Sequence, residues 1–309
     1  MNTIPGKIGF VGIGAMGTPM AANLIKAGYK LAIYDADPGR AASFASTHEV
    51  EVAANLVELG RNSNIVITML PDGKIVRKVL CGGNDGFQDC VAADLKSGAT
   101  VIDMSSSSPI GTRELGTLLS QRGIKLIDAP VSGGVKRAVS AELAIMVGGD
   151  KAVFEHCRPL FEKLGGQIFH VGPLGAGHAI KALNNYVSAA GLVAACEAVI
   201  AGKRFGLDPG IVVDILNAST GMNNTTKVKM KQFMLSGAFN AGFTTGLMAK
   251  DVRTALEIAE ATGTPTMLAE PCTGIWDAAA KTLGPAADHT AMFRFLEESD
   301  QTPTRRSGG

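Results

Sequence analysis

No two of the five cysteines (Cys81, Cys90, Cys157, Cys196 and Cys272) stand at CxxC spacing, and no Cys/His group has metal-ligand spacing. An odd, dispersed set of thiols reads as reduced side chains in a cytoplasmic protein, with no metal site expected. An excess of one charge is also missing. Lys and Arg total 29 against 28 Asp and Glu, a net charge of +1, which argues against nucleic acid or a membrane surface as partner. No apolar run reaches the ~18 residues that span a bilayer; the longest, at 186–200, carries Glu197. A strand is expected within a few residues of Met1, which leaves no room for a signal peptide. What is present is a chain of 309 residues, 46% apolar and 18% charged. That length suits about two domains of ~150 residues, with apolar residues enough for a sizeable core.

The first part alternates short β-rich runs with helical patterns. Strands are expected at 7–11, 30–34, 65–69, 100–103, 125–129, 143–147 and 167–170, and helices at 16–27, 40–45, 75–79, 110–121 and 151–164. This alternation predicts βαβ units and a largely parallel sheet. After Val171-Gly172-Pro173 the pattern changes. A long proline-free stretch at 175–205 keeps helical spacing, and further helices are expected at 209–218, 226–235, 246–262, 266–281 and 289–298. The fold class is therefore α/β: a Rossmann-type doubly wound sheet over 1–172, then an all-α domain over 173–298 entered by a long interdomain helix. Residues 299–309 are polar and are expected to form a mobile tail.

Two motifs carry chemistry. The first is Gly12-Ile13-Gly14-Ala15-Met16-Gly17, between a strand and a helix. Gly12 permits the tight turn, Gly14 lets backbone approach a diphosphate, and Gly17 allows close helix–strand packing. The helix start adds free N–H groups and partial positive charge. Asp35, about 20 residues on, stands where an acid accepts from the adenosine ribose hydroxyls, or else is a turn former before Asp37-Pro38. Ala36 follows it instead of an arginine, so NAD is expected over NADP, with Arg40 as the residue able to compensate. The strand ends Met69-Leu70-Pro71 and Asp103-Met104-Ser105-Ser106 should also face the cofactor.

The second motif is Lys181-x-x-Asn184-Asn185, whose members share one helical face. Charged and amide groups are costly to bury without partners, and a substrate is one such partner. Hydride transfer at carbon needs a matching proton movement on oxygen. A lysine supplies it once its pKa falls from ~10.4 toward neutrality. His178, one turn earlier, is either a rival proton carrier or a packing group. Ser132-Gly133-Gly134 follows another strand and offers a hydroxyl and open backbone N–H groups, a nest for a carboxylate. Lys136 and Arg137 are solvated charges or readers of a second acidic group. Asn223, Asn224 and Thr225 lean toward a polar substrate or cap a helix start.

With these motifs the chain resembles the β-hydroxyacid dehydrogenase family, which takes in 3-hydroxyisobutyrate dehydrogenases, tartronate semialdehyde reductases and L-threonate dehydrogenases. The resemblance covers about residues 5–297. It rests on four blocks: 9–17, 128–134, 175–185 and Gly246-Leu247-Met248-Ala249-Lys250-Asp251. It implies Lys181 as the catalytic residue and Ser132, Gly133 and Gly134 on the substrate carboxylate. It also implies Asn185 near the reacting hydroxyl, with Asn184 beside it, and Lys250 toward the nicotinamide. Ser106 stands where many members have threonine, and the presence of Lys181 argues against imine reductase activity. The resemblance further implies a homodimer or homotetramer. The expected activity is NAD-preferring interconversion of a small carboxylate-bearing 3-hydroxy acid with its aldehyde or keto form. The alternatives are an NADPH-dependent semialdehyde reductase and a non-catalytic dinucleotide-binding regulator.

Overall fold

Short aliphatic runs make the sheet. In a computed structural model that describes residues 6–299, the strands are β1 (Ile8–Val11), β2 (Leu31–Tyr34), β3 (Glu51–Val52), β4 (Ile65–Thr68), β5 (Thr100–Asp103), β6 (Lys125–Asp128), β7 (Val131–Ser132), β8 (Leu143–Gly148) and β9 (Gly165–Gly172). They form one sheet in the order β3-β2-β1-β4-β5-β6-β8-β7, with β9 on β8. Pairing is parallel except where β8 meets β6 and β7. The strands β1, β4 and β5 are buried along their whole length, as expected for a sheet covered on both faces. Alternate side chains feed two separate cores. Ile65, Ile67 and Ile102 join one with Met20 and Leu24; Val66 and Val101 join the other with Leu80 and Leu115.

The covering helices are α1 (Gly17–Lys26), α2 (Pro38–Ala45), α3 (Leu56–Arg61), α4 (Gly73–Cys81), α5 (Pro109–Ser120), α6 (Gly134–Val139) and α7 (Lys151–Phe161). Side-chain oxygens of Asp37, Asn55, Asp72 and Asp150 cap the starts of α2, α3, α4 and α7, which fixes where each begins. Strand order reverses between β1 and β4. That switch point places the loops after both strands at one crevice, where ligands of such sheets bind.

The chain divides after Lys181 into two compact units. The second contains most of α8 (Ala176–Arg204), then α9 (Pro209–Ala218), a π-helix (Thr225–Leu235), α10 (Thr245–Ala261), α11 (Ala269–Leu283) and α12 (Met292–Glu298). Its extended pairing among the described residues is one bridge, Thr244 with Asp288. Its core gathers Leu192, Cys196, Met230, Met248, Val252 and the fully buried Trp276. Of the expected tail, all but Ser299 lies outside the described residues.

The helix α8 is long and apolar enough, by length and composition, to cross a membrane, although no uninterrupted apolar run reaches that length. Polar residues break the run in sequence but are averaged out along a helix of this length. Its apolar positions Ala189, Leu192, Val193, Cys196, Val199 and Ile200 recur at helical spacing and pack into the core of the second unit, as an amphipathic core helix does.

Candidate active site

The glycine loop after β1 has the geometry its residues predict. Gly12 sits at φ +102°, and a side chain there would strike the Met69 carbonyl. At Gly17 a Cβ would lie 1.8 Å from the Gly12 carbonyl oxygen, so only hydrogen fits. Around Gly14 nothing lies within 4 Å of such a Cβ, which leaves the backbone open to an incoming group. The start of α1 has no side-chain cap and no acid in its first turn, and an anion is favoured there. These features fit a dinucleotide diphosphate.

Asp35, at the end of β2, is tied into this loop. Its Oδ2 accepts from Ile13 N–H at 2.8 Å and its Oδ1 from Asp37 N–H at 2.9 Å. Arg40 Nη1 stands 3.9 Å from Asp35 and Arg40 Nε 3.4 Å from Asp37. Arg40, largely exposed, thus stands beside two carboxylates. After β4, Leu70 N–H donates to Ser105 Oγ at 2.9 Å, joining the two expected cofactor-side strand ends. Ser106 is half-buried and Pro71 exposed.

Behind these loops lies a buried polar cluster. Asp103 accepts from Thr68 Oγ1 (2.9 Å), Ser105 N–H (3.0 Å) and Ser107 Oγ (2.8 Å). Asp128, 0% exposed, accepts from the N–H groups of Gly175 and His178, both at 2.7 Å. Asp128 therefore holds the start of α8. The His178 ring is enclosed, with Nδ1 2.8 Å from Thr112 Oγ1 and Nε2 3.2 Å from the Ser105 carbonyl. Both nitrogens are engaged within the fold, which favours the packing role over the rival proton role. Sequence reasoning placed Asp103 and Asp128 only at strand ends. Their partners, up to 50 residues away, leave no local signal.

Ser132 ends β7, and Gly133 (φ +133°) and Gly134 (φ +66°) follow in backbone that side chains rarely adopt. Space beside Gly134 is open, whereas the Arg137 side chain lies along Gly133. Lys136 and Arg137 are both exposed. On α8, Lys181 is buried at 9% exposure. One turn further, Asn185 is buried and Asn184 exposed. Asn185 Oδ1 accepts from Asn184 Nδ2 at 3.2 Å, and its Nδ2 donates to Asp251 Oδ2 at 2.6 Å. Lys250 Nζ is 3.6 Å from the other Asp251 oxygen. Asp251, part of the 246–251 block but given no role in the sequence, fixes the orientation of the Asn185 amide. Asn223 acts as a cap, its Oδ1 accepting from the N–H groups of Thr225 and Thr226.

All five cysteines are free and buried. Burial pushes the thiols of Cys81, Cys157 and Cys196 up to about 12 and that of Cys272 up to about 11. None of these four is a thiolate nucleophile near neutral pH.

The chain is similar to known proteins over most of its length. The model of the NAD binding domain of 6-phosphogluconate dehydrogenase matches residues 7–172. The model described as NAD-binding of NADP-dependent 3-hydroxyisobutyrate dehydrogenase matches 175–296. The chain is 35% identical to 2-(hydroxymethyl)glutarate dehydrogenase of Eubacterium barkeri, over 98% of each chain. It is 37% identical to 2-hydroxy-3-oxopropionate reductase of Escherichia coli, over 94% of this chain and 97% of the relative. The solved 3-hydroxyisobutyrate dehydrogenase of Mycobacterium tuberculosis with L-serine superposes at a TM-score of 0.84 with 34% identity, over 94% of this chain and 99% of that one.

Proposed function

The chain belongs to the β-hydroxyacid dehydrogenase family and is an NAD(P)-dependent oxidoreductase of the 3-hydroxyacid type, and from that premise we propose that Lys181 is its general acid/base. The observation that carries this reading is the buried lysine on α8, in a chain whose first unit holds an open glycine loop that fits a dinucleotide. A bound nicotinamide dinucleotide supplies the hydride acceptor or donor. During oxidation the neutral Lys181 Nζ takes the proton of the substrate hydroxyl, and in reduction it returns that proton to the new alkoxide. Ser132 Oγ and the N–H groups of Gly133 and Gly134 hold the substrate carboxylate. Asn185 orients the hydroxyl, with Asn184 as its neighbour; the Asp251 contact that fixes its amide supports this assignment.

On the cofactor side we assign the diphosphate to residues 12–17 and the adenosine ribose to Asp35, with Leu70, Pro71 and Ser106 lining the strand ends and Lys250 toward the nicotinamide. NAD is preferred, because a 2′-phosphate would meet the Asp35 carboxylate while Arg40 stands beside Asp35 and Asp37. The substrate is a small 3-hydroxy acid, in keeping with relatives named for 3-hydroxyisobutyrate and 2-(hydroxymethyl)glutarate. We place the enzyme in the cytoplasm, a reading supported by five unpaired thiols. We also assign a homodimer or homotetramer, supported by the exposed apolar residues Val187, Ile211 and Ile215 of the helical unit.

The test is reduction of NAD and of NADP with a panel of small 3-hydroxy acids, run on wild type and Lys181→Ala. We expect turnover with at least one acid and a kcat lower by at least ~10² in the variant, with NAD affinity retained. Wild-type turnover in Lys181→Ala would remove the lysine from the mechanism.

A further inference from the structure

We propose that His178 is the positioning residue for Lys181, locking the first turn of the catalytic helix to the strand-end loop on the cofactor side. This rests on the assignment of Lys181 above. The ring reaches in two directions. Nε2 meets the carbonyl of Ser105 at 3.2 Å, and that carbonyl belongs to the peptide bonded to Ser106. A carbonyl only accepts, so Nε2 carries a proton. Nδ1 meets Thr112 Oγ1 at 2.8 Å on α5. The Thr112 hydroxyl gives its single proton either to Nδ1 or to the Ser108 carbonyl, 3.0 Å away. In both arrangements Ser105 and Thr112 hold the ring.

The backbone of His178 is held independently, because its N–H donates to Asp128 Oδ2. Asp128 ends β6, four residues before Ser132. The first turn of α8 is therefore joined to the substrate loop through Asp128. Through the imidazole it is joined to Ser105, whose Oγ in turn holds Leu70 N–H. Lys181 lies three residues on, one turn of a rigid helix away, so a shift at His178 carries Lys181 with it.

Stability alone does not explain the cluster. His178, Asp103 and Asp128 are each at most 1% exposed, with the carboxylates 3.7 and 3.6 Å from the ring nitrogens. Such buried ionisable groups are often no more stabilising than apolar residues of the same volume. What a fully satisfied polar cluster adds is a single geometry. Misplacing a reacting group by 1 Å costs up to ~10²-fold in rate, which gives the cluster a functional reason.

The experiment compares wild type, Lys181→Ala, His178→Leu, His178→Gln and Thr112→Val, with a substrate carrying deuterium at the reacting carbon. His178→Leu should lower kcat between ~10- and ~10²-fold, leave NAD affinity within about twofold, and raise the isotope effect on kcat as chemistry becomes slower. His178→Gln, whose amide can donate to Ser105 and accept from Thr112, should recover most of the rate. Thr112→Val removes one contact at nearly constant volume and should move kcat and the isotope effect the same way, less far; it carries the test if His178→Leu does not fold. The proposal is overturned if kcat stays within about twofold in the folded variants. It is equally overturned if kcat falls only with the folded fraction while the isotope effect is unchanged. If Lys181→Ala itself turns over like wild type, the functional reading fails first, whatever the histidine variants do.

Discussion

Two helices of the first unit begin beside the sheet, and their N-termini are treated in opposite ways. The start of α8 is closed by the chain's own anion, with Asp128 buried against the N–H groups of Gly175 and His178. The start of α1 has no cap, no acid in its first turn, and open space at Gly14. Both ends carry the same partial positive charge. The difference is what meets it: a fixed carboxylate at α8, and at α1 an open place that we assign to the diphosphate of the cofactor.

The comparison breaks most severely at the closed end. Asp128→Ala leaves two buried N–H groups without their acceptor. It should cost about 3 kcal/mol or more of unfolding free energy, since hydrogen bonds to charged groups contribute about 1.5–3 kcal/mol each. Urea titration measures it; a loss under about 1 kcal/mol would mean that α8 is held elsewhere. The open end should behave in reverse. Gly14→Asp places an anion where the diphosphate is assigned and should weaken NAD binding at least ~10-fold. Because a Cβ there meets nothing within 4 Å, the thermal midpoint should hardly move. Calorimetric titration beside a melting curve separates the two effects.

A third change sharpens the reading of the open end. Asp35→Asn keeps an oxygen for Ile13 N–H but removes the charge facing a 2′-phosphate. The NADP-to-NAD ratio of kcat/KM should rise about tenfold, equivalent to ~1.4 kcal/mol; an unchanged ratio would take cofactor choice away from Asp35. The smallest expected effect lies in the helical unit. Burial raises the Asp288 carboxyl, but contacts from His289, Thr290 and Gly242 N–H outweigh it and hold the group well below the ordinary carboxylate range. A depressed carboxyl adds stability that is present above its unfolded pKa and is lost as pH falls through the folded one. Stability should therefore drop below about pH 4, and Asp288→Asn should flatten that drop. An acid titration in which wild type and variant run parallel would remove Asp288 as the cause.

The long strands and helices were legible because their periodicity is. Four short ones were not: Glu51–Val52 and Val131–Ser132 span too few residues to show a period, and Leu56–Arg61 and Gly134–Val139 were not expected either. The segment 226–235 reads as helical in sequence, and the structure winds Thr225–Leu235 as a π-helix. In the candidate site, the need for glycine at 12 and 17 followed from the spacing of the motif between a strand and a helix, although the Met69 carbonyl that a side chain at Gly12 would strike lies far along the chain. The roles of Asp128 and Asp251 did not, because their partners Gly175 and Asn185 lie 47 and 66 residues away.

By itself the sequence determined the α/β class, the glycine-rich turn between β1 and α1 and the lysine–asparagine face, because each is a local pattern that backbone geometry converts directly into structure. Only the tertiary structure decided which polar groups satisfy one another. Burial makes an unpaired charge or amide costly, and a partner for it is found in space, not along the chain. That is why His178, readable as a proton carrier from its place beside Lys181, is held between Ser105 and Thr112 with both ring nitrogens in use.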